Sequence, residues 1–243
     1  MQEFPIIQKT YKKGMYKLAI VFPNLYYGGV YSLGVLIIYN LVNSLSNWIA
    51  KRIYLDYGEF EDFDLVGFSA QYELDYHNII KLIQKHKPKI SFAGGPCVTI
   101  NSKPLENYVD FFILGSIEEV LPKVLSEYGK TDFLNRIAKI EGVYIPKLTK
   151  QKTIATLKNL DDIPYPIYQP LPLTLNKNFV FGKTFILEIE RSCPYSCTFC
   201  TIPKMYNKFQ YRSLEKIKEI IDQGIKINQV SKITIYAPSF VHP

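Results

Sequence analysis

Short apolar runs that alternate with longer amphipathic stretches dominate the first 130 residues. Residues 17–22, 65–69 and 89–93 are each short and apolar, as expected of buried strands. The stretch 72–86 between two of these runs places its tyrosines and isoleucines at helical spacing. Strands that alternate with helices predict an α/β fold, here a doubly wound parallel sheet with helices on both faces. Ligands of such sheets bind outside the carboxyl ends of the strands.

The remainder of the chain differs in character. Residues 143–146 and 153–156 are predicted to pair as a hairpin, and a proline cluster follows as a semi-rigid connector. A strand over 184–190, a loop, a helix that ends at Gly224 and a further strand then open a second α/β unit. This second unit is incomplete, so we expect a C-terminally truncated protein. The predicted division is 1–130, 131–182 and 183–243.

Composition restricts the classes of protein to which the chain can belong. Hydrophobic residues make up 47% and charged residues 21%, which indicates a globular protein rather than a disordered one. The net charge is +7, but the lysines are scattered, which favours a solvated basic surface over a nucleic-acid site. No apolar stretch approaches the roughly 20 residues that span a bilayer, and no secretory signal begins the chain. We therefore expect a cytoplasmic protein with no membrane or nucleic-acid partner.

Three of the four cysteines lie within eight residues. Cys193, Cys197 and Cys200 have the spacing C-x3-C-x2-C and follow the predicted strand directly. Three thiolates on one loop can hold three corners of an iron–sulfur cluster. The loop offers no fourth cysteine, and an open coordination position distinguishes a catalytic metal site from a closed structural one. The alternatives are a zinc site, which usually takes four ligands in paired C-x2-C units, and three unrelated cysteines.

The segment Cys193-x3-Cys197-x-Phe199-Cys200 resembles the radical S-adenosylmethionine superfamily. The resemblance implies that the three cysteines bind a 4Fe–4S cluster and that S-adenosylmethionine takes the open iron. It also implies a (βα) barrel, of which residues 183–243 are the start, and an electron donor such as a ferredoxin or flavodoxin. In that superfamily, reductive cleavage of S-adenosylmethionine gives a 5′-deoxyadenosyl radical, and the residue at the Phe199 position packs near the adenine.

Segments of the first 130 residues also look like those of a known domain. Residues 64–69, 92–96 and 118–122 resemble the Rossmann-like, cobalamin-binding-type domain that precedes radical S-adenosylmethionine domains. The resemblance therefore covers nearly the whole chain. It implies an enzyme that generates the 5′-deoxyadenosyl radical or that methylates through cobalamin. Its substrate, its catalytic residues and its oligomeric state do not follow from the sequence.

The cofactor-binding residues that this second resemblance implies are Ser69, Gly94 and Gly95. The cobalamin fingerprint departs elsewhere, because Pro23 and Leu25 stand at its Asp and His positions. The histidine that would ligate cobalt from below is therefore absent. Two interpretations remain: cobalamin binds without a protein imidazole, or the domain keeps the fold without the cofactor. A plain tight turn is the alternative explanation of the two glycines.

Two further hypotheses belong to other functional classes. One is a non-catalytic iron–sulfur protein that uses Cys97 as its fourth ligand, although a small buried residue is the simpler interpretation of that cysteine. The other is a corrinoid- or nucleotide-binding module. Arg191 is expected either to stabilise the reduced cluster or to pair with Glu188 or Glu190. Ser239, at the end of the last strand, receives no assignment.

Overall fold

The computed structural model describes residues 2–241. Its strands are β1 (Glu3–Phe4), β2 (Tyr16–Val21), β3 (Trp48–Ile53), β4 (Leu65–Ser69), β5 (Ser91–Gly94), β6 (Phe111–Ile113), β7 (Val143–Tyr144), β8 (Leu171–Pro172), β9 (Phe185–Glu188), β10 (Glu190–Arg191), β11 (Gln210–Tyr211) and β12 (Ile233–Tyr236). Its α-helices are α1 (Tyr26–Gly29), α2 (Leu33–Ser44), α3 (Asp75–His86), α4 (Pro96–Ile100), α5 (Ile117–Glu127), α6 (Phe133–Ile137), α7 (Ile202–Met205) and α8 (Leu214–Asn228). Lys103–Leu105 and Leu160–Asp162 form 3₁₀ turns.

A six-stranded sheet is the centre of the first part of the chain. Its strand order is β3-β2-β4-β5-β6-β7. The first five strands run parallel, and β7 joins the edge antiparallel to β6. The α/β class and a mostly parallel sheet are therefore confirmed. The carboxyl ends of β2, β4 and β5 open at the same edge of this sheet.

Alternation along β2 explains why both faces of the sheet are covered. Leu18 and Ile20 pack with α2 and α5, whereas Ala19 and Val21 pack with α3 and α4 on the other side. All four side chains are buried, because side chains of a strand point alternately to opposite faces. A strand that is buried on both faces has a continuous apolar sequence, and this pattern allows such a strand to be predicted.

The second part of the chain contains a parallel pair of strands. β12 pairs with β9, with Ile233 opposite Phe185, and α8 connects the two strands. This arrangement agrees with the predicted strand–loop–helix–strand order; the barrel itself stays a prediction. β9 and α8 form an apolar cluster against which Leu33 of α2 packs, so this unit lies against the first part of the chain. Within residues 2–241, no helix combines the length and apolarity needed to cross a membrane.

Two predicted details differ from the structure. The hairpin is wrong in its pairing: Val143–Tyr144 pairs with β6, and Ala155 forms a parallel bridge with Gly115. The helix predicted to end at Gly224 continues to Asn228, because the backbone at Gly224 remains helical and packs closely on Phe185. Glycine thus marks a close approach here rather than a helix end.

Candidate functional site

The three clustered cysteines lie on the loop that follows β10. Cys193 and Cys200 are half-buried and Cys197 is exposed, and all three thiols are free of disulfides. The backbone N–H of Cys200 donates to the carbonyl of Cys197 over 3.1 Å, which forms a tight turn between these two residues. Ser192, directly before the first cysteine, has φ of 68° in the left-handed region. This conformation turns the chain out of the strand and into the loop.

The donor set of this loop fits an iron–sulfur cluster in its chemistry. Thiolates are the ligands that hold such clusters, and the loop supplies three of them within eight residues. In the conformation described for residues 2–241, the cysteine side chains do not converge, and no three His, Cys, Asp or Glu side chains are grouped to hold a metal ion. Binding through all three thiols therefore requires the loop to draw them together.

Cys97 occupies a different environment. It lies in α4 and is buried in an apolar cluster that includes residues of α3. Burial raises the pKa of the Cys97 thiol, and the neighbouring Tyr76 hydroxyl only partly offsets that effect. Because metals bind the thiolate, a raised pKa makes Cys97 a poor fourth ligand. The hypothesis that needs Cys97 to complete a closed cluster loses support from this environment.

A cavity of about 470 Å³ separates the carboxyl edge of the six-stranded sheet from the segment that leads into the cysteine loop. The sheet contributes Ser69, Gly94 and Gly95 to its wall, so the structure brings these three sequence-predicted residues together. Glu190, Arg191, Ser192 and Tyr206 come from the other side. Phe199 does not line this cavity, and it is 88% exposed. The volume is in the range of small-molecule sites, which is roughly 300–1,000 Å³.

The glycine turn in this wall has a structural explanation of its own. Gly95 has φ of 106°, and a Cβ there would lie 2.6 Å from the carbonyl oxygen of Ala70. Glycine is therefore required by the backbone packing of the domain itself. Ser69 accepts a hydrogen bond from the Gln71 side-chain amide over 2.7 Å, so its hydroxyl is already partnered on one side.

A buried ionic network lies beside the cavity. The Arg191 guanidinium donates to Glu188 through Nε at 2.9 Å and through a terminal nitrogen at 2.8 Å. It also donates to Glu118 of α5 over 2.8 Å, which joins the two parts of the chain. The Tyr206 ring lies 5.9 Å from this guanidinium, and Arg212 lies 3.7 Å from Glu188. The network therefore fixes the backbone two residues before Cys193.

The charges in this network shift its pKa values. Burial alone raises the pKa of Glu118, but the charge and hydrogen bond of Arg191 outweigh burial and hold that pKa below its usual range. Burial lowers the pKa of Arg191, and the charges of Glu188 and Glu118 outweigh it and raise the pKa well above its ordinary value. Glu118 and Arg191 are therefore both charged at neutral pH.

Of the two partners expected for Arg191, Glu188 is the one that the structure confirms. Glu190 instead accepts a hydrogen bond from the Ser239 hydroxyl over 2.9 Å. Sequence reasoning missed Glu118 as a member of the site, since its partner lies 73 residues further along the chain. The sequence pattern available was the acidic pair Glu118-Glu119 at the start of α5, of which only Glu118 is buried.

Comparison with known proteins adds independent findings. Residues 57–146 match the family described as radical SAM proteins, N-terminal. A putative methylthiotransferase of Methanocaldococcus jannaschii is 30% identical over 58% of this chain and 29% of its own length. The ribosomal protein uS12 methylthiotransferase of Pseudothermotoga lettingae is 29% identical over 40% of this chain and 21% of its own length. These matches support a radical SAM superfamily protein.

A third relative covers more of the chain. An uncharacterized protein of Methanocaldococcus jannaschii is 35% identical over 91% of this chain. The chain spans 49% of the length of that relative. Radical SAM proteins in general carry a 4Fe–4S cluster and use S-adenosylmethionine, and they are enzymes as a class. The superfamily match does not itself identify the ligands of this chain, which rest on the cysteine loop.

Proposed function

We propose that the chain is a radical S-adenosylmethionine enzyme in which Cys193, Cys197 and Cys200 hold a 4Fe–4S cluster. The observation that carries this proposal is the set of three free thiols, spaced C-x3-C-x2-C, on one loop beyond a buried strand. The family match over residues 57–146 supports the same class from a separate part of the chain. When bound, the cluster supplies the electron for reductive cleavage of S-adenosylmethionine to a 5′-deoxyadenosyl radical.

The protein's own residues hold the loop and shape the cavity beside it. Arg191 is fixed by Glu188 and Glu118, so the strand end that precedes Cys193 is rigid. The cavity wall combines aromatic and aliphatic side chains with a few polar groups, as small-molecule sites do. Such a wall limits the access of water to a reactive species. Phe199 is proposed to pack on the adenine of S-adenosylmethionine.

Methylthio transfer is the reaction class that we favour among those open to this superfamily. Its support is that two relatives carry the name methylthiotransferase. Methylation through cobalamin is the alternative. It is less well supported, because Pro23 and Leu25 stand where the fingerprint requires Asp and His. Ser69, Gly94 and Gly95 are the residues proposed to contact cobalamin if it binds.

A physiological electron donor is part of the proposal. A ferredoxin or flavodoxin is the donor class that we expect. The net charge of +7 supports an acidic partner, because complementary charge accelerates the encounter of two proteins.

The experiment that tests the proposed function measures S-adenosylmethionine cleavage. The chain is reconstituted anaerobically with iron and sulfide, reduced with dithionite, and mixed with S-adenosylmethionine. We expect the electron paramagnetic resonance spectrum of the reduced cluster to change on mixing, and 5′-deoxyadenosine to accumulate. A cluster whose spectrum does not respond to S-adenosylmethionine would instead identify a non-catalytic iron–sulfur protein.

A further inference from the structure

Glu190 carries a carboxylate oxygen that is buried without a hydrogen-bond partner. The residue is 1% exposed and lies in the wall of the cavity. Its Oε2 accepts from the Ser239 hydroxyl over 2.9 Å. Its Oε1 has no partner among residues 2–241. A buried acceptor that lacks a donor is costly, and a charged one is more so.

The position of this oxygen separates it from the other unpartnered buried atoms. Within the described residues these are Nε1 of Trp48 and Oδ1 of Asp75, and neither residue lines the cavity. The second oxygen of Asp75 accepts from the backbone N–H groups of Gln71 and Tyr72, so Asp75 has a local structural role. Of the three residues, Glu190 is the one that lines a space large enough for a ligand.

The charges of the wall leave an excess of negative charge at Glu190. The charged residues that line the cavity are three carboxylates and one guanidinium: Glu118, Glu188, Glu190 and Arg191. Arg191 is shared between Glu118 and Glu188, each within 2.8 Å. Arg212, behind the wall, adds a second positive charge that lies 3.7 Å from Glu188. The carboxylate that remains without an ionic partner in this arrangement is Glu190.

The remainder of the wall suits a ligand with an aromatic or apolar body. Phe181 and Tyr236 line the cavity, with ring centroids 6.3 Å apart. Phe92 and Tyr31 add further ring surface. Aromatic rings attract cations as well as stacking on flat ligands. The wall therefore combines a carboxylate acceptor with ring surface.

We propose that Glu190 binds an ammonium group of the ligand that occupies this cavity. The ammonium donates to Oε1 and balances the excess carboxylate charge. Two sources supply this chemistry: the amino-acid end of S-adenosylmethionine, in which case the inference rests on the proposed function, or an amine of the substrate. The Ser239 hydroxyl holds the carboxylate in place by its bond to the other oxygen.

The test measures binding to the whole chain by isothermal titration calorimetry. The first probe pair is decarboxylated S-adenosylhomocysteine, which carries an ammonium group, and 5′-methylthioadenosine, which lacks one. The second probe is spermidine, an amine without a nucleoside. We expect the ammonium-bearing probe to bind the native chain at least about tenfold more tightly than 5′-methylthioadenosine. Glu190→Gln, which keeps the shape and removes the charge, should abolish this difference.

Two further variants separate ligand binding from folding. Ser239→Ala removes the partner of Oε2 and loosens the carboxylate but keeps its charge, so ammonium binding should weaken by about threefold, far less than in Glu190→Gln. Glu119→Gln removes a carboxylate from the outer face of α5 and should change nothing. Circular dichroism and thermal unfolding establish that each variant is folded.

The outcomes distinguish the cofactor from a substrate amine as the source of the ammonium group. They also distinguish failure of the proposed function from failure of the inference about Glu190. Loss of the nucleoside preference in Glu190→Gln assigns the cofactor as the source. Weakening of spermidine alone, by about tenfold, assigns a substrate amine. If both nucleosides fail to bind the native chain while spermidine binding depends on Glu190, the proposed function fails and this inference stands. If Glu190→Gln changes no ammonium-dependent affinity, or if Ser239→Ala abolishes binding equally, the inference is wrong.

Discussion

At the scale of single residues, the guanidinium of Arg191 holds two largely buried carboxylates, those of Glu118 and Glu188. Its side chain is 7% exposed, and that of Glu118 is 3% exposed. Burial of such a group is costly, and the pair is stable only because each charge is neutralised by its partner. The ion pair therefore ties α5 to the strand end that precedes the cysteine loop.

The first prediction concerns the acid stability that this pair confers. The pKa of Glu118 is lowered in the folded chain, so its contribution is complete above the usual carboxyl pKa of about 4.3 and is lost as the pH falls through the lower, folded value. Glu118→Gln should cost about 1–3 kcal/mol at pH 7, because it removes a charged hydrogen bond. Urea unfolding at pH 7 and at several values below pH 5 should show this difference shrinking in acid.

The control for this prediction lies one residue along the same helix. Glu119 forms a surface ion pair with Lys123 over 3.7 Å. Such pairs contribute little, so Glu119→Gln should change the free energy of unfolding by about 0.5 kcal/mol or less. A difference between Glu118→Gln and the native chain that does not vary with pH would contradict the assignment of the ion pair.

The second prediction concerns the backbone at Ser192. Its φ of 68° lies in the left-handed region, which costs a residue with a Cβ about 1–2 kcal/mol. Ser192→Thr keeps the hydroxyl but adds a β-branch, and it should destabilise the chain by about 1 kcal/mol or more. Ser192→Gly should stay within about 0.5 kcal/mol of the native chain, because relief of strain offsets the entropy of glycine. Equal losses in both variants, measured by urea unfolding, would contradict this.

Whether the role of a residue can be predicted from sequence depends on how far along the chain its partners lie. Cys193, Cys197 and Cys200 are recognisable because their spacing is local and their chemistry is distinctive. Glu118 could not be assigned in the same way, since its bond to Arg191 depends on how two distant segments meet. From sequence, Glu188 and Glu190 were equally good candidates for the partner of Arg191. The structure shows that Arg191 binds Glu188, whereas Glu190 binds Ser239.

At the scale of elements, helix α8 shows how packing overrides a local rule. Gly224 lies inside this helix, and a Cβ there would come within 2.4 Å of the Phe185 ring. The helix therefore lies directly on β9 at this point. The helix begins where Ser213 accepts a hydrogen bond from the backbone N–H of Lys216, as N-cap serines do.

The third prediction tests this close approach. Gly224→Ala should destabilise the chain by about 1–3 kcal/mol through overpacking, although alanine is the better helix former by about 1 kcal/mol. The matched control is Gly34→Ala in α2, where a Cβ meets nothing within 4 Å. Thermal unfolding should show Gly34→Ala at or above native stability. Similar effects of the two substitutions would contradict the packing that we describe.

Other elements were predictable to different degrees. β4 matches the predicted strand residue for residue, because its residues are apolar up to Ser69. The predicted strand 89–93 was displaced, since β5 begins at Ser91 and ends at Gly94. β1 was not predicted at all: it is two residues long and is formed by pairing with Leu171–Pro172, far along the chain. Elements that depend on a distant partner leave no periodic pattern of their own.

At the scale of the whole molecule, the strand ends of two α/β units face the same cavity. Gly95 comes from the first unit and Glu190 from the second. The units are also joined by the Tyr31 hydroxyl, which donates to the carbonyl of Gly182 over 2.8 Å. A ligand in this cavity therefore contacts both units, and the cysteine loop begins at its border. The sequence predicts each unit from its own pattern, whereas their relative placement depends on these contacts.

The central claim is that the cysteine loop holds the cluster, and cluster loading tests it most directly. After anaerobic reconstitution, iron and sulfide are quantified together with the absorbance near 400 nm that marks iron–sulfur clusters. Cys193→Ala, Cys197→Ala and Cys200→Ala should each reduce iron content by at least about tenfold, whereas Cys97→Ala should load as the native chain does. Full loading of the Cys197→Ala variant, or loss of the cluster in Cys97→Ala with the fold intact, would contradict the account.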